Sequence, residues 1–496
     1  MKVFLIFYLI LLSHLLIGAE VHVLNLEKCI DMAMERSFDM RSLRENLKEA
    51  EFNLRAATNR FRTQVELNLT APNYIETIRS LEDSTHVYYF PVKQREYSGE
   101  LVIQQPLPTD GRIYISSGLF TLDEIDRGSY SMRVNTQIGI QQPLEAFYSF
   151  NFLQASLKQA KLSYELSNKR LRRAELNIVY DVSNAFYNLV SSIENEKIAN
   201  QTYKIQQDAT TLANNKFKAG VIAEVDALQM EVDLAAETNS LDIARADRIA
   251  SENFLKQLLT IPLTDSLVLQ TDLSYDVVQV DVEKAIEFGL KNRLEIREQQ
   301  IVVALDKINI DRQRVYGQIR GSISAYYDLI GVKEGPRDAP LQSTFNSAWE
   351  EMRTRPRNRG FSLQISIPLW DWGVNKALVA SARASLRRSE YALDNEMVTV
   401  ERDIRDTVLR FKSSLRRLQL LEKSVEVAKK SMVISQSRFA NGDINSQALA
   451  LDRQRLSQAY QSRLGAFKEY KLLIADLARK TFYDFEHDRP LIDETD

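Results

Sequence analysis

The stretch ISIPLWDWG, Ile365 to Gly373, decides how the chain is read. It begins with alternating apolar and polar residues, meets a proline, carries two tryptophans around an aspartate and stops on a glycine. The 68 residues that follow, Val374 to Asn441, contain neither proline nor glycine. Alternation at period two is a strand signature, and an uninterrupted run of that length is a helix. Pro368 is placed to end a strand ladder, where a missing N–H does least harm. Asp371 is placed to cap the helix that follows, with Gly373 at its threshold.

Working outward, the glycines and prolines cluster. Of the 27 in the chain, ten lie between Pro72 and Pro143 and ten between Gly317 and Gly373. Those two zones alternate like strands, as in Val65-Glu66-Leu67-Asn68-Leu69 and Phe361-Ser362-Leu363-Gln364-Ile365. Elsewhere the chain reads as helix, punctuated at Gly220, Pro262 and Gly442. A second breaker-free run of 76 residues separates Pro143 from Gly220. At about 1.5 Å per residue each long run reaches roughly 100 Å, so these helices are rods. Leu153, Leu157, Ala160, Tyr164 and Leu171 step by threes, fours and sevens, a coiled-coil seam. Leu449, Leu456, Tyr460 and Phe467 resume it after Gly442, so each rod turns at a glycine and returns as an antiparallel hairpin.

Charge nominates no nucleic-acid partner, because 64 basic residues against 67 acidic ones leave a net of −3 in a chain of 496. A mean hydropathy of −0.29 excludes a polytopic helical membrane protein. The apolar run after Lys2 ends in Ile17-Gly18-Ala19, which suits a cleaved export signal at 1–19. Cys29 is the sole cysteine, so no internal disulfide forms, and its setting reads as a small buried residue. The four histidines are scattered, and no metal spacing, phosphate loop or nucleophile elbow occurs. No cofactor and no enzyme activity is expected.

The chain is its own repeat. LEKCIDMAMERSFDMR from Leu26 resembles VEKAIEFGLKNRLEIR from Val282, and KFKAGVIAEVDALQ from Lys216 resembles RFANGDINSQALAL from Arg438. The offset falls from 256 at the start to 222 at the tips, so the strand zone of the first copy carries additional residues. They are expected as an extra hairpin turning at Pro106-Leu107-Pro108-Thr109-Asp110-Gly111. Repeat one covers 20–270, with strands at 65–144, a long helix at 145–219 and a return helix at 222–260. Repeat two covers 271–480, with strands at 319–369, a long helix at 371–441 and a return helix at 444–480. A loose polar tail at 481–496 follows.

The strand-to-helix IPLWDWG, the two KF/RF tips ending in glycine and the duplicated LEKAI-like starts resemble the outer-membrane efflux protein family, the TolC-like exit ducts of Gram-negative bacteria. The resemblance implies long antiparallel coiled-coil helices in the periplasm, plus strands given to a trimeric outer-membrane β-barrel. It also implies a homotrimer that meets a periplasmic adaptor and an inner-membrane transporter, as the duct of an efflux pump or a type I secretion system. Open strand edges cannot exist in lipid, which agrees with a barrel shared between copies.

By that resemblance Gly220 and Gly442 are adaptor-docking tips, although each also reads as a helix C-cap glycine. Asp226, with Glu224 beside it, sits where family members constrict the tunnel with acids, and also where any helix favours first-turn acids. In repeat two the matching positions are Ala448 and Leu451, and the nearest acids are Asp443 and Asp452. Pro143 is the counterpart of Pro368, whereas Ala146 stands opposite Asp371. The aromatics Trp370, Trp372, Phe147 and Tyr148, with Phe150 and Phe152, follow the strand ends, where rings suit a membrane–water interface or a packed junction. A different class, an exported coiled-coil envelope scaffold or adhesin without channel activity, is opposed by alternating strands at one end of paired rods.

Overall fold

A computed structural model describes residues 21–82, 86–270 and 273–491; the expected export signal lies outside them. The chain divides into two compact units.

One unit, residues 48–167 and 299–391, is built on a single antiparallel sheet. Its strands are β2 (Gln64–Glu82), β3 (Val87–Pro106), β4 (Arg112–Glu124), β5 (Ser129–Pro143), β7 (Arg320–Pro336) and β8 (Asn358–Ser366), paired in that order. β1 (Val21–Leu24) and β6 (Ser266–Leu269) form a separate parallel pair in the other unit. Repeat one thus supplies four strands and repeat two only two. The added hairpin is β3–β4, turning at Leu107–Gly111, where the Leu107 amide donates to the Gly111 carbonyl (2.7 Å). β2 and β8 each have one side unpaired among the described residues.

The two faces of the sheet differ in chemistry. Val65, Ile103, Ile115, Ile138, Tyr327 and Leu363 share one face, and Glu66, Gln104, Ser116, Gln137, Asp328 and Gln364 share the other. Such alternation gives a lipid-ready face and a wettable one. Beyond a register shift between Thr70 and Asn73, the apolar face of β2 and β3 turns charged, with Lys93 paired to Glu76 (3.0 Å).

The expected strand zone 319–369 is interrupted by an amphipathic helix, whose period-3.6 pattern was hidden in a proline-flanked loop. It runs Leu341–Thr354 and buries Thr344, Ala348 and Met352 on the apolar sheet face beside Val134 and Leu329. Gly331 lies beneath it, where a Cβ would come within 1.9 Å of the Ala348 carbonyl oxygen.

The other unit holds residues 21–47, 168–298 and 392–491 among those described, and it is mainly helical. In chain order the helices among the described residues are α1 (Leu26–Arg36), α2 (Phe38–Asn59), α3 (Glu145–Tyr148), α4 (Phe152–Lys218), α5 (Glu224–Leu259), α6 (Val282–Asn292), α7 (Leu294–Val315), the inserted α8 (Leu341–Thr354), α9 (Val374–Asn441) and α10 (Ser446–Thr481). The repeat is metrically tight: α1 and α6 each have 11 residues, α2 and α7 each 22, α5 and α10 each 36. Thr260 and Phe482 end the return helices in the same left-handed conformation, 222 residues apart.

Each repeat also builds its own core. In the first, Cys29 and Ala33 pack with Val182, Phe186, Leu255 and Leu259. In the second, Ala285 and Ile286 pack with Val400, Ile404, Phe411 and Tyr470. Ala33 has Gly289 as its counterpart, which is crowded: a Cβ there would meet Ile404 at 2.0 Å. Cys29 is fully buried, and burial pushes its thiol up to about 12.

Two expectations need correction. The long helix of repeat one does not run unbroken over 145–219. It stops at Tyr148 and restarts at Phe152, because Asn151 turns its side chain to the Gln154 amide as a cap (2.8 Å). A run free of Pro and Gly permits a helix without enforcing one. Nor is the tail loose as far as Leu491, the last described residue. Phe482 and Tyr483 are buried, β9 (Tyr483–Asp484) pairs with β10 (Arg489–Pro490), and Asp488 joins Lys284 (3.0 Å).

Candidate functional site: the paired glycine turns

At the tips the two repeats fold the same way, bond for bond. The Gly220 amide donates to the Phe217 carbonyl (2.8 Å) and Val221 to Lys216 (2.9 Å). Gly442 donates to Phe439 (3.1 Å) and Asp443 to Arg438 (2.8 Å). These are helix-ending bonds that reach back over a residue of positive φ, +74° at Gly220 and +87° at Gly442. A Cβ at either would meet nothing within 4 Å, so glycine is required by backbone conformation and not by crowding.

Beneath the turns the hairpins α4–α5 and α9–α10 pack together. Ala213 and Met230 from the first meet Met432, Phe439, Leu449 and Leu456 from the second. Lys216 reaches across, donating to the Phe439 carbonyl (2.8 Å) while lying over its ring, 5.1 Å from the centroid. The return helix α10 starts on Asn445, whose side chain accepts from the Ala448 amide (3.0 Å). At α5 the equivalent position is Ala223, which provides no side-chain cap.

A cleft of about 280 Å³ opens between the turns, lined by Lys216, Asp226, Phe439, Gly442, Asp443 and Asn445 among others. Two of the four candidate carboxylates, Asp226 and Asp443, come together there although they occupy non-equivalent positions in the repeats. Glu224 is exposed on the first turn of α5. Asp452 is different, because Ser435 donates to one of its oxygens and Arg455 pairs with the other (3.2 Å). It stands where repeat one buries Met230, so that carboxylate is committed to holding α9 and α10 together.

A further ion pair joins the return helices. Arg453 of α10, nearly buried, meets Glu237 of α5 at 3.3 Å in a polar cleft of about 390 Å³ that Ser192, Asn195, Ser240 and Gln458 help to line. The sequence carried a signal for it. Arg453 lies four residues past Leu449 and three before Leu456, so it occupies a seam position.

The strand-to-helix joints also differ between repeats. In repeat two the ladder ends with Ser366 opposite Arg320, two residues before Pro368. Asp371 then accepts from the amides of Gly373 (2.9 Å) and Asn375 (2.8 Å), which hold its carboxyl below the usual range. Trp370 and Trp372 lie edge to face, 5.5 Å apart and almost wholly exposed. In repeat one Pro143 is the last ladder residue, opposite Ser322.

The capping carboxylate there comes from the added hairpin. Asp110, itself at φ +66°, accepts from the amides of Phe152 (3.0 Å) and Leu153 (3.2 Å). With Asn151 on Gln154, every free amide of the first turn of α4 is paired. Phe147 and Tyr148 stay exposed, and the Tyr148 hydroxyl donates to the Ile319 carbonyl. Phe150 and Phe152 instead pack edge to face, 4.9 Å apart, in a small core with Ile308 and Val315.

Among the described residues, no group of three or more His, Cys, Asp or Glu converges on a metal-sized site. No helix among them is long and apolar enough to cross a membrane.

The comparisons with known proteins agree with this architecture. The profile of the family described as "Outer membrane efflux protein" matches residues 116–260 and 289–478. A search of curated protein sequences finds no match. Among solved structures, the CmeC outer membrane channel of Campylobacter jejuni is similar at 14% identity and a TM-score of 0.69, covering 95% of this chain and 87% of that one. The outer membrane protein VceC of Vibrio cholerae is similar at 15% and 0.64, with 92% and 95% covered. The open state of the MtrE outer membrane channel of Neisseria gonorrhoeae is similar at 16% and 0.64, with 92% and 88% covered. At such identities the structures speak for the fold, whereas the profile spans well over half of the chain. On that ground the chain belongs to the outer membrane efflux protein family, and its place is the outer membrane.

Proposed function

We propose that three copies of this chain close one β-barrel and that the helical hairpins form a periplasmic duct beneath it. In this reading the protein is the passive exit stage of a tripartite efflux pump or a type I secretion system. The observation that carries it is the open six-stranded sheet, apolar on one face and polar on the other, with β2 and β8 unpaired on their outer sides. Unsatisfied edges are prohibitive in lipid, so the sheet needs other copies to close it. Six strands from each of three copies make eighteen. At about 4.8 Å between strands and a tilt near 40°, the backbone diameter is ~36 Å, against ~24 Å for twelve strands.

The exposed glycine turns are the surface offered to a periplasmic adaptor, which brings cargo from an inner-membrane transporter. Asp226 and Asp443, which share a cleft, and the nearby Glu224 are the carboxylates that would ring the duct entrance, repeated by the threefold axis. Purified protein is expected to migrate as a heat-sensitive trimer and to conduct in planar bilayers. Asp226→Ala combined with Asp443→Ala is expected to weaken cation preference and block by multivalent cations. A monomer without conductance would sink the channel reading, and unchanged selectivity would remove the carboxylates from it.

A further inference from the structure

The inserted helix α8 rests on the apolar face of the sheet, the face that meets lipid in an outer-membrane barrel. It covers the point on β7 where outward residues change from Tyr327 and Leu329, across Gly331, to the exposed Lys333. Thr344, Ala348 and Met352 fix its inner side. An exposed flank next to that inner side carries Leu341, Phe345 and Trp349 at i, i+4 and i+8, with the two rings stacked 6.2 Å apart, while the side away from the sheet carries the exposed Gln342, Asn346 and Glu350. The stripe continues the apolar band of the sheet, and aromatic side chains at the edge of such a band belong at a membrane–water interface.

The chain leaving α8 is strongly basic, with Arg353, Arg355, Arg357 and Arg359 at every second position. Two have structural work. Arg355 pairs with Glu351 (2.7 Å), and Arg357 donates to the carbonyls of Met352 (2.6 Å) and Arg353 (3.0 Å) at the helix end. The Arg353 and Arg359 guanidinium groups are exposed and have no ion pair among the described residues. Arg359 lies opposite Tyr327 on the same outward sheet face. Planar guanidinium groups beside an aromatic interface stripe match phosphate oxygens of a lipid headgroup.

We propose that α8 is a lipid-contacting foot, seated in the outer-leaflet interface through Phe345 and Trp349, with Arg353 and Arg359 holding the phosphate groups of an anionic lipid. The helix packs on β5 and β7 from the lipid-facing side, so it does not plug the lumen. The proposal rests on the membrane placement of the sheet, and its test separates the two.

The full-length protein with Trp370→Phe and Trp372→Phe keeps Trp349 as its sole tryptophan. Reconstituted in phosphatidylcholine vesicles, Trp349 emission should be quenched by lipids brominated high on the acyl chain and shielded from aqueous acrylamide. Added lipid A should bind the detergent-purified protein, and Arg353→Gln with Arg359→Gln should weaken that binding ~25-fold, about five-fold per arginine. Inorganic phosphate at the same concentration should not compete, and Trp349 quenching in the double variant should be unchanged. Trp349 open to acrylamide, or buried from both quenchers against a neighbouring copy, would overturn the seat. Unchanged lipid A affinity, or equal competition by phosphate, would overturn the headgroup contact. In a Trp349→Phe protein, Trp370 and Trp372 report insertion independently, so loss of their bromolipid quenching would instead refute the membrane placement itself.

Discussion

Replacing Asp110 tests the claim that the added hairpin starts the long helix of repeat one. Its carboxylate serves the Phe152 and Leu153 amides from a left-handed backbone position, so two costs can be separated. Asp110→Gly removes the acceptor but keeps the conformation, and losing such a cap costs about 1–2 kcal/mol. Asp110→Ala removes the acceptor and keeps a Cβ at positive φ without the polar side chain that lets Asp tolerate it, which costs about 1 kcal/mol more than the Gly variant. Asp110→Asn keeps an oxygen acceptor and tolerates the conformation, so its cost is a few tenths of a kcal/mol, ~0.5 at most.

Since 1.4 kcal/mol is about tenfold, local opening at Phe152 and Leu153 should speed roughly 5–30-fold in the Gly variant and roughly 30–150-fold in the Ala variant. The Asn variant should change by less than about threefold. Hydrogen exchange by mass spectrometry on peptides over 145–160 reads this directly, with peptides over 374–380 as the internal control. Equal exchange in wild type and the Gly variant would refute the cap. An Ala variant no faster than Gly would refute the conformational half of the argument.

The two caps should respond oppositely to acid. Backbone amides hold Asp371 below the usual carboxylate range, so its stabilisation is present above the unfolded value and is lost as pH falls through the lowered folded one. Burial raises the Asp110 carboxyl despite its two amides, so protonation there removes a desolvation penalty. Acidification should therefore lower protection at Gly373 and Asn375 while sparing Phe152 and Leu153, after correction for intrinsic rates; parallel loss would refute the assignment. Cys29 should resist maleimide in the folded protein at pH 8 and label on unfolding, and labelling of the folded protein would contradict its burial. Arg453→Ala should cost about 1–3 kcal/mol, with less than additive loss when Glu237→Ala is combined with it, measured by denaturation of the purified protein.

The duplicated architecture was legible because its signals are local. Positive-φ glycines at the tips, period-two strands and the Asp371 cap each depend on residues within a few positions of one another. What escaped depended on residues far apart in sequence. Ala146 stands opposite Asp371 and offers no cap in repeat one; the cap is Asp110, 42 and 43 residues before the two amides it serves. The helix Leu341–Thr354 was read through as strand because its neighbours are Gly, Pro and Arg, and its inner face is small and polar apart from Met352. Asp452 looked like a free acid until Ser435, seventeen residues earlier on the facing helix, came within reach of it. The tail looked polar and loose, but its two aromatics, Phe482 and Tyr483, fold back into burial.

The unequal edges of the sheet carry a consequence for the cell surface. β2 has 19 residues and β8 only nine, so in the proposed barrel, where β2 of one copy would meet β8 of the next, about half of β2 would have no facing strand. That upper half is the part beyond the register shift, where outward Glu76 is paired to Lys93 of β3. At about 3.4 Å per residue it extends ~30 Å along the strand. Each copy would therefore raise one twisted, salt-bridged ribbon above the membrane. A ring of three such ribbons is what an antibody or a bacteriophage would meet first.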